Sequence, residues 1–207
     1  FQEKSNFSLQ ALQGKFTLEE KTFSIDKLIV ESRDSKVELS GNASFNSLTD
    51  YQTARIDFET PQSTIATKDI LFFAPHVLDS IPLDLPRETK ISIASKISGS
   101  FNNLTIDRLA VKMLASTSLS MQGNVKNLSD PDKMSMQVSL NRFFTTSKDI
   151  YTVLADSLIP ASIQLPDSIE LNGSFKGLVK APTFSALLTT SSGNLKANGK
   201  LDFRTTP

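Results

Sequence analysis

Residues able to do acid–base or metal chemistry are few in this chain. It has one histidine, His76, and no cysteine, which excludes a two-histidine metal site, a thiol nucleophile and a cysteine-ligated cluster. A single imidazole without a matched partner makes no catalytic dyad, so we expect His76 to be an ordinary exposed or hydrogen-bonded side chain. The sequence therefore predicts no catalytic residue, no metal site and no cofactor, and the protein is not expected to be an enzyme.

Two short segments, Thr67–Asp69 and Ser147–Asp149, share the order hydroxyl, lysine, aspartate. We interpret both as helix starts, with the hydroxyl residue as N-cap and the aspartate favouring the helix dipole from the first turn. The charges of each Lys-Asp pair are expected to be solvated and structural. The sequence thus predicts short helices near 67–79 and 147–159.

Composition excludes further classes of function. The 22 basic and 22 acidic residues cancel, so there is no electrostatic case for a nucleic-acid-binding protein. The glycines are scattered singly and no Gly-Lys-Ser/Thr follows them, which excludes a phosphate-binding loop. No apolar run approaches the roughly 18 residues that span a bilayer. The chain begins at Phe1 without a signal peptide, and we expect it to be a fragment of a longer protein.

Strict alternation of apolar and polar residues predicts antiparallel β-strands along much of the chain. It is clearest over 36–45 and 91–101, where almost every second residue is apolar or glycine. Four further segments show it: 119–125, 134–140, 169–175 and 195–203. Strands of this kind bury one face and leave the other in water. The sequence therefore predicts a mainly β protein whose sheet has one apolar face.

Six of the eight glycines share one context, with a polar and then an apolar residue on each side. They are Gly14, Gly41, Gly99, Gly123, Gly173 and Gly199. Alternation places each in mid-strand on the apolar face, where glycine weakens a strand and gives up packing. One interpretation is that these glycines bend the sheet or form β-bulges. The other, compatible with the first, is that they leave a furrow in which an acyl chain could lie.

A long repeat organises the chain. Thr67–Leu71 matches Ser147–Tyr151, an offset of 147 − 67 = 80 residues, and Phe23–Val30 resembles Leu104–Val111, an offset of 104 − 23 = 81. Each unit begins with a short helix, continues through a proline-containing linker and ends in about four alternating strands.

The repeat divides the chain into three parts. Residues 1–66 form the end of a first β repeat, 67–146 a complete repeat and 147–207 an incomplete third repeat. Tandem β units that pack only on their neighbours make an elongated body. We therefore predict an elongated, curved antiparallel sheet in the form of a β-groove.

The strand Ile169–Leu178 reads Ile-x-Leu-x-Gly-x-Phe-x-x-Leu. Together with the Lys-Asp-Ile helices and the proline-bracketed linkers, it resembles the repeats of TamB- and AsmA-like proteins, envelope proteins of Gram-negative bacteria in the bridge-like lipid-transfer group. The resemblance implies a taco-shaped sheet with an apolar interior, located in the periplasm, in a parent protein anchored to the inner membrane. It also implies phospholipid passage toward the outer membrane and, in TamB, a role beside an outer-membrane β-barrel in assembling surface proteins.

Two hypotheses follow for the apolar face. In the first, it is a partly open groove that binds acyl chains of phospholipids or other lipids. In the second, the chain is a structural or adhesive β-repeat whose apolar faces meet in a dry sandwich core, which requires two interdigitating faces. We favour the groove because glycines centred on most of the strands suit a narrow trough. The predicted groove lining comprises Val37, Leu39, Gly41, Phe45, Ile91, Ile93, Ile97, Gly99, Phe101, Leu119, Met121, Gly123, Val125, Leu171, Gly173, Phe175, Gly199 and Leu201.

Overall fold

The protein is built from one open, curved antiparallel sheet accompanied by two short helices. The computed structural model describes residues 7–45, 54–76, 84–100, 102–154 and 162–203. The predicted fold class, mainly β with a curved groove-like sheet and two short helices, is confirmed.

Twelve strands and two helices make up the described residues. The strands are β1 (Leu9–Gln13), β2 (Phe16–Leu18), β3 (Thr22–Ser32), β4 (Lys36–Ser44), β5 (Arg55–Ala66), β6 (Lys90–Ser100), β7 (Asn103–Met113), β8 (Thr117–Lys126), β9 (Ser135–Thr146), β10 (Ser168–Leu178), β11 (Ala181–Thr190) and β12 (Gly193–Lys200). The helices are α1 (Thr67–Phe73), between β5 and β6, and α2 (Ser147–Val153), between β9 and β10.

The order of the strands in the sheet follows the order of the chain. β1 and β2 both pair with β3 and form one edge, broken around Gly14, while β12 forms the other edge. The strands that flank each helix pair directly with each other, so the helices do not interrupt the sheet. Four strands, β6–β9, separate α1 from α2, as the repeat predicts.

Both helices lie at one rim of the sheet, which we call the helix rim. There β3, β5, β7 and β9 end and the strands that follow them begin, so the rim also contains the β3–β4 turn (33–35) and the β7–β8 turn (114–116). The helices begin at Thr67 and Ser147, where predicted. They end at Phe73 and Val153, earlier than predicted; residues 74–76 and 154 are not helical, and 77–79 and 155–159 lie outside the described residues.

The N-caps differ from the predicted ones by one residue. α1 is capped by Ala66, which offers no side-chain hydrogen bond, and α2 by Thr146, whose hydroxyl accepts from the N–H of Asp149. Thr67 is fully buried, and its hydroxyl donates to the carbonyl of Thr89 instead of capping the helix. A hydroxyl residue therefore caps α2, although it is Thr146 and not the predicted Ser147, whereas α1 has no hydroxyl cap.

β-Bulges recur at the same level of β3, β7 and β9. Two adjacent residues, Asp26–Lys27, Asp107–Arg108 or Asn141–Arg142, face a single residue of the next strand. Each bulge shifts the side-chain alternation by one residue, so the apolar face continues from Ile106 to Leu109 across two charged positions. The repeated bulges increase the local twist and bending of the sheet.

The described residues contain little fully buried core. The buried apolar side chains are Ile25, Ala66, Val153 and Ala181, and most other apolar side chains on the strands are half-buried. All described strands belong to a single sheet. One face of that sheet therefore carries apolar side chains that remain partly open to solvent.

Candidate functional site

The strand register places apolar side chains from neighbouring strands directly opposite one another, and directly opposed residues share a face. At the centre of the sheet Met121 of β8 pairs with Leu109 on one side and Leu140 on the other. We call this surface the apolar face; its large residues from β3 to β12 are Phe23, Ile25, Leu28, Val30, Val37, Leu39, Ile56, Phe58, Ile65, Ile91, Ile93, Ile97, Leu104, Ile106, Leu109, Val111, Leu119, Met121, Val125, Met136, Val138, Leu140, Phe143, Ile169, Leu171, Phe175, Phe184, Leu188 and Leu195.

Most of the predicted lining residues take places on this face. Two exceptions lie at strand ends: Phe45 follows β4, and Leu201 follows β12 and is 40% exposed. Phe101 is outside the described residues. β12 itself ends at Lys200, short of the predicted 203, although the N–H of Phe203 still donates to the carbonyl of Lys180.

The predicted lining missed the contributions of β3, β5, β7, β9 and β11, although the alternation over 134–140 did predict β9 as a strand. In β5 the phase of alternation changes between Thr60 and Ser63, because Pro61 and Gln62 lie in a register shift against β6. β11 begins Ala-Pro and contains two adjacent leucines, which hides its alternation. The signal that could have found β7 was the resemblance of Leu104–Val111 to Phe23–Val30, since both contain a bulge at the same point.

The glycines of the apolar face lie where neighbouring strands approach closely. Gly41 and Gly123 stand opposite Ile25 and Ile106, the last residues before a bulge. A Cβ added at Gly41 would lie 2.1 Å from the carbonyl oxygen of Asp57, and one at Gly123 would lie 2.4 Å from that of Gln137. The space that a side chain would need is already filled by the next strand. These contacts support the curvature interpretation, and the furrow interpretation stays a prediction.

Two apolar cavities lie between the helices and the apolar face. The α1 crevice, of about 280 Å³, is lined by Val30, Val37, Ile65, Ile70 and Phe73 among others. The α2 crevice, of about 260 Å³, is lined by Met113, Phe143, Ile150, Val153 and Ile169 among others, of which Ile150 and Val153 are the counterparts of Ile70 and Phe73. Each crevice adjoins the apolar face at the helix rim, so the repeat reproduces a cavity as well as a set of strands.

A buried aspartate stands at the edge of the α2 crevice. Asp149 is 3% exposed and accepts hydrogen bonds from the N–H groups of Ser116 (2.8 Å) and Ala115 (3.4 Å) and from Thr117 Oγ1 (2.8 Å). Thr117 Oγ1 is in turn 2.8 Å from Thr145 Oγ1. Burial acts to raise the pKa of Asp149, but the hydrogen bonds from Thr117, Ser116 and Ala115 outweigh it and lower the pKa.

Asp69 has the same role in the α1 crevice with different donors. Its Oδ2 accepts from Ser32 Oγ at 2.6 Å and from Ser35 Oγ at 2.5 Å. Ser35 Oγ also accepts from the N–H of Ala66, the residue before α1. The prediction that the aspartates of the Lys-Asp pairs are solvated is wrong, because both carboxylates bond to the turn of the preceding hairpin.

The lysines of these pairs do face solvent. Lys148 is exposed, and Lys68 Nζ lies 2.6 Å from Asp34 Oδ2 and 3.7 Å from Glu88 Oε2. The hydrogen bond between Lys68 and Asp34 lowers the pKa of Asp34 and raises that of Lys68. The side chains of this pair are partly buried, with 35% of Lys68 and 20% of Asp34 exposed.

The remaining candidate groups do not assemble into a reactive site. His76 lies in an exposed turn after α1. Within the described ranges no group of histidine, cysteine and carboxylate side chains is placed to hold a metal ion. In that same part of the chain, neither helix has the length and apolarity needed to cross a bilayer.

Comparison with protein family models, with curated proteins and with solved structures gives no match for this chain. The candidate site is the apolar face with its two crevices, which extends across the described strands.

Proposed function

We propose that this chain binds lipid acyl chains along its apolar face and is a periplasmic segment of a TamB/AsmA-like protein. In this role it carries phospholipid between the inner and outer membranes of a Gram-negative bacterium and assists the assembly of outer-membrane proteins beside a β-barrel partner. The parent protein is anchored to the inner membrane. The apolar face supports the proposed lipid binding. The proposed location, transport route and β-barrel partner are supported only by the sequence resemblance.

One observation carries the proposal: most apolar side chains of the long strands lie on one face of a single open sheet, and most of them remain half-buried. Contiguous apolar surface of this extent marks a binding surface in a protein that is otherwise polar. Burying one methylene contributes about 0.8 kcal/mol, so eight methylenes of an acyl chain would contribute about 6 kcal/mol. The dry sandwich of the alternative hypothesis would need a second apolar sheet, and the described strands form only one.

Native mass spectrometry of the purified chain, followed by extraction and titration with a fluorescent phospholipid, tests the proposal. We expect co-purified phospholipid and saturable uptake. A preparation that contains no lipid and takes up none of the probe would refute the proposal.

Two double variants on opposite faces sharpen the test. Met121→Asp with Leu140→Asp places charges on a directly opposed pair of the apolar face, and we expect uptake to fall at least tenfold. The matched control, Gln122→Asp with Ser139→Asp, changes the adjacent pair on the polar face and should leave uptake unchanged. Equal losses in both variants, at equal thermal stability, would contradict binding on the apolar face.

A further inference from the structure

We propose that α1 and α2 are lids over the two helix crevices. Each is tied by its own aspartate, Asp69 or Asp149, to the hairpin that precedes the strand leading into the helix. The proposal rests on the proposed function, because an open lid would admit a lipid acyl chain to the crevice beneath the helix. It assigns these two carboxylates as positioning residues that regulate access to the apolar face.

Asp149 ties α2 to the turn between β7 and β8. The helix has seven residues, too few to be stable on its own in water. It follows β9, yet the donors to Asp149 belong to the β7–β8 turn and the start of β8, namely Ala115, Ser116 and Thr117. The carboxylate therefore ties the helix sideways, over the crevice, to a strand other than the one that leads into it.

The same tie is built at α1 from other groups. Asp69 accepts from two serine hydroxyls, Ser32 and Ser35, at the β3–β4 turn. At α2 two of the donors are backbone N–H groups of the β7–β8 turn. Two serine hydroxyls in one unit, and two backbone N–H groups with one threonine hydroxyl in the other, thus tie each helix above an apolar cavity of similar volume.

The far end of α2 has its own contact. The N–H of Asp84, in the segment that follows α1, donates to the carbonyl of Val153 at 2.8 Å, and Leu85 lines the α2 crevice. At its first turn α2 is held by Asp149 and by the N–H of Ser147, which donates to the carbonyl of Asp167 at 3.3 Å. Loss of the Asp149 tie removes the contacts with the β7–β8 turn and leaves one backbone hydrogen bond at each end of the helix and the packing of the buried Val153, so the helix can swing away from the sheet.

Hydrogen–deuterium exchange on Asp149→Asn tests the proposal. Both carboxylate oxygens face N–H or hydroxyl donors, so the amide NH₂ would face a donor in either orientation. We expect the amides of Ile150–Leu154 to exchange at least tenfold faster, with β8 and β9 unchanged. Fluorescence of Nile red, an apolar probe without a headgroup, should rise at least twofold. Lys148→Ala, on the exposed side of the same helix, is the matched control and should change neither quantity.

Unchanged exchange in α2, or faster exchange without a gain of Nile red fluorescence, would overturn the lid. If Asp149→Asn does not fold, Thr117→Val removes one donor and keeps the volume. We expect about threefold faster exchange in α2 of this variant, and no change would overturn the lid.

Phospholipid uptake is measured separately. Faster α2 exchange and Nile red binding without phospholipid uptake would support the lid and contradict the proposed function.

Discussion

At the scale of single residues, the buried carboxylate of Asp149 makes stability depend on pH. Its pKa is lowered in the folded protein, so it stabilises the fold above its unfolded pKa of about 3.9, and this contribution is lost as the pH falls through the folded value. Asp34, Asp130 and Glu170 also have lowered pKa values and add to the same acid loss.

We therefore expect Asp149→Ala to destabilise the protein by about 2–4 kcal/mol at pH 7, because it leaves buried donors without an acceptor. The loss should shrink as the pH is lowered from 6 to 3, since the wild type loses the same interaction. Urea unfolding followed by circular dichroism at several pH values measures this. A difference that stays constant with pH would contradict the assignment of a charged Asp149.

The glycines of the apolar face give a second prediction at this scale. Gly123→Ala would place a Cβ 2.4 Å from the carbonyl oxygen of Gln137, at a φ of +159°, and we expect a loss of about 2–3 kcal/mol. Gly193→Ala is the matched control because its φ is similar, +149°, but nothing lies within 4 Å of the added atom. Its loss should be about 1 kcal/mol. Thermal unfolding compares them, and equal losses would mean that close approach of the strands is not what requires Gly123.

At the scale of the elements, the bulges keep the apolar face continuous. Deleting Arg108 would remove the bulge of β7 and turn Leu109, Val111 and Met113 to the polar face. Three half-buried apolar side chains would be displaced, so we expect a loss of about 3 kcal/mol or more. Inserting one glycine after Pro131, in the β8–β9 turn, is the control and should cost less than about 1 kcal/mol. A deletion as mild as the insertion would show that the register is not fixed here.

The bulges also explain how far the sequence could predict the structure. Alternation found β4, β6, β8 and β10 because these strands keep one phase on the apolar face. It missed β5 because its phase changes in mid-strand. The anchoring role of Asp149 could not be predicted, because its donors lie 32 to 34 residues away and two of them are backbone groups without a side-chain signature.

At the scale of the whole molecule, each strand packs mainly on its two neighbours. A body of this kind unfolds from its ends, since its stability is close to a sum of nearest-neighbour terms. We expect hydrogen exchange to be slowest in β7 and β8 and to become progressively faster toward β1 and β12. Uniform protection across the sheet would indicate a single cooperative unit instead.

The edge strands differ in how they meet solvent. The β1–β2 edge is broken around Gly14, which limits pairing with another chain, whereas β12 is continuous and carries Lys196, Lys200 and an exposed Leu195. Growth of the sheet by further strands is thus geometrically simpler at β12 than at the opposite edge.

The four strands between one helix and the next have a consequence for length. Neighbouring strands are about 4.8 Å apart, so each unit advances the body by about 19 Å without altering its cross-section. The number of units encoded in a gene would then set the length of the sheet, which would change in steps of one unit while every local contact stayed the same.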